Sequence, residues 1–414
     1  MPAKGTLALP GDKSISHRSV MLAALSNQQS KITNLSNGND VKSTISCLVD
    51  CGIEIESSSK SHIVNGGIFK QPVSDLDCGN SGTTMRLLIG LLSGQGINAN
   101  FIGDKSLSNR PMKRIIEPLK KMGLKIESNN SMSPIKISKS MLKGINYTMP
   151  VSSAQVKSSI LLAALGAKKE TIIIENVLSR DHTEIMLQNI GVDIFKKGKS
   201  TTLRPCNKFL PQKISIPADP STAAFFIGAA VLIPESRLLI TNLLLNETRI
   251  GFLRALEKMG CSFKYLNMRN ECGEKVGDLE VSYHKLFGIN INKADIPSII
   301  DEIPMLALIA TQAEGATSVS GAEELRVKES DRIKAICANL KEIGADVIEK
   351  SDGFIINGGS KLKSGNIDTF DDHRIAMTFS IASIISEKDI VINNSECINI
   401  SFPDFFKTLE NIMR

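Results

Sequence analysis

The chain reads as an α/β protein of two domains assembled from six copies of one unit. Three observations predict this. It has 414 residues, 42% of them hydrophobic, and single cores stop growing beyond roughly 250–300 residues. A small-polar start followed by a small, apolar run at helical spacing recurs every 67 to 81 residues. Each such run is followed by an amphipathic helix, which usually closes with Gly and a short β-branched strand.

The elements follow in order. DKSISHRSVMLAAL from Asp12 is the first apolar helix. Its companion, VKSTISCLVDCGIEIE, carries Val41, Ile45, Leu48 and Val49 at helical spacing, with Gly52 where a left-handed cap belongs. NSGTTMRLLIGLL from Asn80 pairs with MKRIIEPLKKMGLKIE, and SSAQVKSSILLAAL from Ser152 pairs with HTEIMLQNIGVDIF. DPSTAAFFIGAAVL from Asp219 precedes IGFLRALEKMGCSF; IDEIPMLALIATQA from Ile300 precedes RIKAICANLKEIGADVIE; DDHRIAMTFSIASI from Asp371 precedes FPDFFKTLENIM. Each unit therefore reads strand–helix–strand–helix–strand(s), three units to a domain. Aromatics are 4% and Trp is absent, so Leu, Ile, Val, Ala and Met must fill the cores.

Charge and cysteine content narrow the class. The net charge of +6, from 49 basic and 43 acidic residues, suits anionic small molecules. It does not form the basic stripe of a nucleic-acid protein. Eight Cys are scattered without a C-x-x-C pair or zinc spacing; Cys47 and Cys51 are expected to be core thiols rather than a ligand pair. That scatter fits a reducing cytoplasm. No signal-peptide pattern is seen, and no apolar stretch reaches the roughly 20 residues that span a bilayer.

The apolar helices carry the functional information. A helix that is apolar all round is buried, so its polar start should surface where the domain opens. Each helix start carries roughly +0.5 of a charge and free N–H donors, which makes it a seat for an anion. Six such starts are expected to aim at a shared cleft. Lys13, Ser14 and Arg18 mark the first. GNSGTTMR is not a phosphate loop, since it lacks the Gly-Lys-Ser/Thr ending; Gly82 there lets a ligand approach the main chain. Arg110 is expected to be extended before Pro111, the first residue of the next helix, and so placed to clamp a carboxylate or phosphate. SSAQ supplies Ser153 and Gln155, and SRDHTE supplies Arg180. Asp301 and Glu302 stand at the mouth of an apolar helix, one expected to cap it and the other free to act as a base. LRVKESDRI is the densest motif: Lys328 and Arg332 should share a helix face, with Glu329 between cations. His373 and Arg374 open the last apolar helix. No metal cluster, hydrolase triad, G-x-S-x-G or catalytic-Cys signature occurs. Cations, hydroxyls and two or three carboxylates point to two anionic substrates held together for acid–base chemistry. Holding both could itself lower the barrier by roughly 7–11 kcal/mol.

PGDKSISHR, GNSGTTMR, NRPMKR, SSAQVKS, SRDHTE, RVKESDR, DDHRIAM and SFPDFF, taken together, resemble the 5-enolpyruvylshikimate-3-phosphate synthases (3-phosphoshikimate 1-carboxyvinyltransferases) from Pro10 to Phe406. The resemblance implies a two-lobed inside-out α/β barrel, each lobe three βαβαββ repeats. The lobes would be 12–217 and 1–11 plus 218–414. It implies transfer of the enolpyruvyl group of phosphoenolpyruvate to the 5-hydroxyl of shikimate 3-phosphate, with release of phosphate, in the shikimate pathway to chorismate and the aromatic amino acids. Lys13, Ser14, Arg18, Ser153, Gln155, Arg180, Asp301 and Lys328 would hold shikimate 3-phosphate. Lys13, Gly82, Arg110, Gln155, Arg332 and Arg374 would hold phosphoenolpyruvate. Asp301 would be the base, and Glu329 with Lys13 the acid, while His373 would sit behind the ligand contacts. No cofactor, metal, nucleic acid or membrane is implied, and a cytoplasmic monomer is expected. One departure stands out: some members carry a ligand-binding lysine where this chain has Ile400. Gly82 is the small loop residue associated with sensitivity to glyphosate, so sensitivity is expected.

Two other readings are weaker. The sister enzyme that transfers enolpyruvate to a UDP-sugar lacks PGDKS-SHR and typically uses a loop cysteine; GDKSLSNRPMKR has none. A non-catalytic anion- or nucleic-acid-binding protein would leave Asp301 and Glu329 without a purpose.

Overall fold

The structure, a computed structural model, describes residues 1–58, 61–386 and 388–413. It divides into two compact units. The first is Gly11–Ile216 with Asn270–Glu274; the second is Met1–Pro10, Pro217–Arg269 and Lys275–Arg414.

Strand β1 (Lys4–Ala8) opens the chain and belongs to the second unit. The first unit then runs α1 (Lys13–Ala23), β2 (Gln29–Thr33), α2 (Asn39–Asp50), β3 (Glu54–Ser57) and β4 (Ser61–Asn65). It continues β5 (Leu76–Asp77), α3 (Gly82–Gly94), β6 (Ala99–Ile102), α4 (Lys105–Ser108), α5 (Lys113–Lys121), β7 (Lys125–Asn129) and β8 (Met132–Ser138). The third repeat is β9 (Asn146–Met149), α6 (Ala154–Ala164), β10 (Thr171–Glu175), α7 (His182–Asn189), β11 (Ile194–Lys197) and β12 (Ser200–Leu203), followed by β13 (Lys213–Ser215). The second unit begins with α8 (Pro220–Leu232), β14 (Arg237–Leu244), α9 (Gly251–Lys258), β15 (Lys264–Glu271) and β16 (Glu274–Ser282). Next come β17 (Asn290–Ile291), α10 (Ile296–Ile299), α11 (Ile303–Gln312), β18 (Ala316–Val319), α12 (Arg332–Glu342), β19 (Asp346–Lys350) and β20 (Gly353–Asn357). Last are β21 (Gly365–Asp368), α13 (His373–Ile385), β22 (Ile390–Asn393) and α14 (Phe405–Ile412).

The sheets show the repeat. Their orders are β13-β2-β4-β3, β5-β6-β8-β7, β9-β10-β12-β11, β1-β14-β16-β15 and β17-β18-β20-β19. In each, the outer strand runs parallel to its neighbour and the remaining hairpin is antiparallel. A parallel pair needs a crossover helix, and the apolar helix supplies it. Two sheets take that outer strand from far along the chain, β13 and β1, which is why the units trade segments near Pro10 and Ile216. The sixth repeat keeps only the parallel pair β21-β22 among the described residues, so it is shorter than the implied pattern.

The six apolar helices are buried on all sides. Every residue of α8 from Pro220 to Val231 is buried. Packing so close needs glycine at contact points. A Cβ on Gly90 of α3 would lie 2.2 Å from the carbonyl oxygen of Ser159 on α6, so these helices meet backbone to backbone. The few aromatics gather in the second unit. Phe225 and Phe226 of α8 meet Phe405 at centroid distances of 6.1 and 5.7 Å, and Phe402 closes the cluster. Gly52 does adopt a left-handed conformation, at φ +81°. Two details differ from expectation. Val49 of α2 is 47% exposed, because Thr44 and Cys47 turn inward instead. Pro111 lies two residues ahead of α5, since the short helix α4 and a bend at Arg110 occupy the approach.

Candidate active site

Each unit brings the starts of its three apolar helices into one hydrogen-bonded group. In the first unit, Asp12 caps α1, its Oδ1 accepting from Ile15 N at 2.8 Å. Lys13 Nζ lies 3.2 Å from Asp40 Oδ2 in the first turn of α2. A buried chain then links α1 to α3. His17 Nδ1 is 2.6 Å from Thr44 Oγ1, Thr44 is 2.7 Å from Thr84 Oγ1, and Thr84 donates at 2.7 Å to Ser81, the cap of α3. Burial, then Lys13 and Arg18, hold the His17 imidazole well below its ordinary range, so it is uncharged.

Arg18 is fixed along its whole guanidinium. Nη1 donates to the Ser14 carbonyl at 2.8 Å, Nε to Thr183 Oγ1 at 2.7 Å and Nη2 to Ser158 Oγ at 2.7 Å. Gln155 ties α6 to α3: its Nε2 donates to Thr83 Oγ1 at 2.9 Å, and its Oε1 accepts from Arg86 Nη1 at 2.8 Å. Ser153 caps α6, accepting from Val156 N at 3.4 Å. A Cβ on Gly82 would lie 2.5 Å from Arg86 Nη1 and 3.5 Å from Arg110 Nη1; bare main chain therefore sits between two guanidiniums. Arg110 is steadied by Asn80 Oδ1 at 2.7 Å and Ser106 Oγ at 3.1 Å. Arg180 is half-buried in the loop between β10 and α7. Arg86, hidden inside an apolar helix, escaped the sequence reading, as did Asn80 and Asp40.

In the second unit the centre is Asp301. Its Oδ1 is 3.3 Å from Arg332 Nη1, 3.4 Å from Lys328 Nζ and 3.9 Å from Arg374 Nε, and its carbonyl accepts from Arg374 Nη1 at 3.1 Å. Arg332, 1% exposed, also donates to Glu329 Oε2 at 2.6 Å and to Asp372 Oδ2 at 2.8 Å. Burial works against its charge, but Asp372, Glu329 and Asp301 outweigh it and keep the guanidinium protonated. Burial likewise opposes the Asp372 carboxylate, and Arg332 overcomes it, holding that carboxyl below its usual range. Asp372 also caps α13, accepting from Arg374 N at 2.9 Å, and takes the Ser330 hydroxyl at 3.1 Å. The cap position in D-D-H-R was the only sequence signal for it. His373 is buried.

Two expectations need correcting. Lys328 and Arg332 do not share a helix face: a 3₁₀ turn ends at Val327 and α12 begins at Arg332, so the intervening irregular chain, not helical phase, brings both to Asp301. Glu302 stands at the N-cap position of α11 without a side-chain capping bond; it accepts from the Ser221 hydroxyl instead. Ile400 packs partly buried against the apolar core and brings no charge.

Comparison with known proteins follows the same lines. The profile of the family described as EPSP synthase (3-phosphoshikimate 1-carboxyvinyltransferase) matches residues 1–409. The chain is 46% identical to the 3-phosphoshikimate 1-carboxyvinyltransferase of Sulfurihydrogenibium sp. (strain YO3AOP1), covering 99% of this chain and 97% of that one. It is 47% identical to the protein of the same name from Persephonella marina, with the same coverage. Among solved structures, the EPSP synthase from Acinetobacter baumannii superposes with a TM-score of 0.89 at 39% identity, over 99% of this chain and 96% of that one. The enolpyruvyl transferase NikO from Streptomyces tendae shares the fold, with a TM-score of 0.77 at 15% identity.

Proposed function

The chain belongs to the EPSP synthase family, and from that membership we propose how its residues divide the work. It transfers the enolpyruvyl group of phosphoenolpyruvate to the 5-hydroxyl of shikimate 3-phosphate, releasing phosphate, in the shikimate pathway to the aromatic amino acids. In our reading Gly11–Ile216 and the remainder act as the two lobes of the fold. Lys13, Ser14, Arg18, Ser153, Gln155, Arg180, Asp301 and Lys328 hold shikimate 3-phosphate. Lys13, Gly82, Arg110, Gln155, Arg332 and Arg374 hold phosphoenolpyruvate.

Asp301 accepts the proton of the 5-hydroxyl as its oxygen bonds to C2 of phosphoenolpyruvate. Glu329, an ion partner of Arg332 in the unliganded chain, first takes up a proton; assisted by Lys13 it then gives that proton to C3, and a tetrahedral adduct forms. Elimination runs backwards through the same pair. Glu329 recovers a methyl proton, the C2–O bond to phosphate breaks, and Asp301 returns its proton to the leaving phosphate. Both carboxyl groups end as they stood once Glu329 was protonated. Cations fixed before the substrates arrive stabilise the carboxylate and the leaving phosphate without reorganisation at the moment of reaction.

The observation that carries this reading is Asp301, a carboxylate with three cationic side chains within 3.9 Å. We propose further that the protein acts as a cytoplasmic monomer without nucleic acid or cofactor. All eight cysteines are free, and among the described residues no helix is long and apolar enough to cross a membrane. The test is phosphate release from phosphoenolpyruvate with and without shikimate 3-phosphate, in the wild type and in Asp301→Asn. Release that depends on shikimate 3-phosphate and falls roughly 10²–10⁴-fold in the variant, with shikimate 3-phosphate still bound, is expected. An unchanged rate in Asp301→Asn would remove it from the role of base.

A further inference from the structure

Behind Arg18 lies a group of charges that the reaction does not use. Lys157 of α6 has 0% exposure, and its Nζ lies 2.8 Å from Glu175 Oε2 at the end of β10 and 2.6 Å from Glu184 Oε1 on α7. One cation thus draws a strand end and a second helix onto α6. Such a group gives little net stability over apolar packing, so its presence calls for another reason.

That reason is next to it in sequence. Ser158 follows Lys157, and Thr183 precedes Glu184. Their hydroxyl oxygens are 2.6 Å apart and are the two that receive Arg18. The protons can be assigned. Ser158 Oγ donates to the Ala154 carbonyl at 2.6 Å, so Thr183 donates to Ser158, and both oxygens turn lone pairs toward the guanidinium. Arg18 is therefore aimed by the distance between α6 and the first turn of α7. Lys157–Glu184 is a charged strut across that seam. Glu175 does the same for the neighbouring loop. Its Oε1 accepts from Ser179 N at 3.0 Å and from the Ser179 hydroxyl, fixing the turn immediately before Arg180.

We propose that Lys157, Glu175 and Glu184 are positioning residues for shikimate 3-phosphate, acting on Arg18 through the Ser158–Thr183 pair and on Arg180 through Ser179. This rests on the reading that Arg18 and Arg180 contact that substrate. Burial pushes the Glu184 carboxyl up even against the pull of Lys157, while the two carboxylates keep Lys157 protonated despite its own burial. The strut is the short ion-pair contact itself, Lys157 Nζ against Glu184 Oε1.

The experiment measures shikimate 3-phosphate affinity by calorimetry, with kcat and the KM for phosphoenolpyruvate at saturating shikimate 3-phosphate. Arg18→Gln serves as the reference. Glu184→Ala and Lys157→Met should weaken shikimate 3-phosphate by about tenfold, within the usual span of couplings between touching residues. In the same variants kcat and the KM for phosphoenolpyruvate should stay within about twofold, and Glu184→Gln, which keeps a side chain of the same length and an oxygen against Lys157, should restore affinity to within about twofold of wild type. Glu184→Ala with wild-type affinity overturns the proposal, and so does Glu184→Gln as weak as Glu184→Ala. If Lys157→Met fails to fold, the Glu184 pair decides alone. Should Arg18→Gln itself bind normally, it is the assignment of Arg18 that falls, a separate outcome.

Discussion

Asp372 makes the sharpest test of how the second unit is held. Its carboxylate is fully buried and meets Arg332 with both oxygens, Oδ2 at 2.8 Å from Nε and Oδ1 at 3.3 Å from Nη2. Removing one partner of a buried ion pair typically costs roughly 3–5 kcal/mol, because the other charge is left uncompensated. Here Glu329 and Asp301 still face Arg332, and Asn at 372 would keep the cap on α13, so Asp372→Asn should cost about 2–3 kcal/mol. Asp372→Ala forfeits the cap as well, about 1 kcal/mol more. The chain has no Trp, so urea unfolding is best followed by circular dichroism. The pH dependence gives a second check. The carboxyl titrates lower in the folded chain than in the unfolded one. Its contribution is therefore complete above the unfolded value of about 3.9 and is lost as pH falls through the folded value. The gap between wild type and Asp372→Asn should be flat from about pH 8 to pH 5 and close below about pH 4. With Arg332 free to swing toward Glu329, the KM for phosphoenolpyruvate should rise about tenfold, equivalent to about 1.4 kcal/mol. Equal stability of the two proteins at neutral pH would refute the reasoning.

Other perturbations follow from the same geometry. His17 is uncharged when folded and titrates near 6.5 when unfolded, so acidification favours the unfolded chain by up to about 1.4 kcal/mol per pH unit below that value. His17→Gln should flatten the stability profile between about pH 6.5 and pH 5, and an unchanged slope would show that His17 is charged in the fold. Gly82→Ala puts a methyl 2.5 Å from Arg86 Nη1; Arg86 must shift from Gln155, and the KM for phosphoenolpyruvate should rise several-fold. Glyphosate should inhibit the wild type and lose potency in that variant, whereas a curve flat to high inhibitor in the wild type contradicts the reading of Gly82. Gly90→Ala drives a methyl into the Ser159 carbonyl, and since backbone rather than a side-chain tip must move, melting should show a loss of about 3 kcal/mol or more.

What was legible in the sequence is what local spacing encodes. The apolar helices could be found because a helix buried all round has no polar face to conceal it, and their caps could be found because capping is a contact over two or three residues. Lys13, Arg18, Asp301 and Arg374 stand out as charges abutting such helices. The partners were not legible. Arg86 looks like an interruption of α3 until Gln155, 69 residues later, is seen to accept a hydrogen bond from it. Asp372 looks like a simple cap until Arg332, 40 residues earlier, is placed beside it. Lys157 looks like a solvated lysine until Glu175 and Glu184 close over it. The pairing of β13 with β2 was invisible, since nothing in a three-residue strand names a partner 182 residues away; for β1, only the resemblance indicated that 1–11 belongs with 218–414.

These failures have a common physical origin. A buried apolar helix ends with four N–H groups that need acceptors and a dipole that draws anions. Any cation placed beside that end to recruit a ligand must be held against the dipole and out of bulk water. Because the helix's own next turns are apolar, the restraint comes largely from other elements of the same repeat or from another repeat. Arg18 is held from α6 and α7, Arg110 from the loop before α3, and Arg332 from the start of α13. The repeat architecture is thus more than economy of design: Arg18 and Arg332 are steadied by elements of a neighbouring repeat. A substitution at the supporting member should therefore weaken the substrate held by the supported one, and the Lys157, Glu184 and Asp372 variants ask that question at two independent places in the fold.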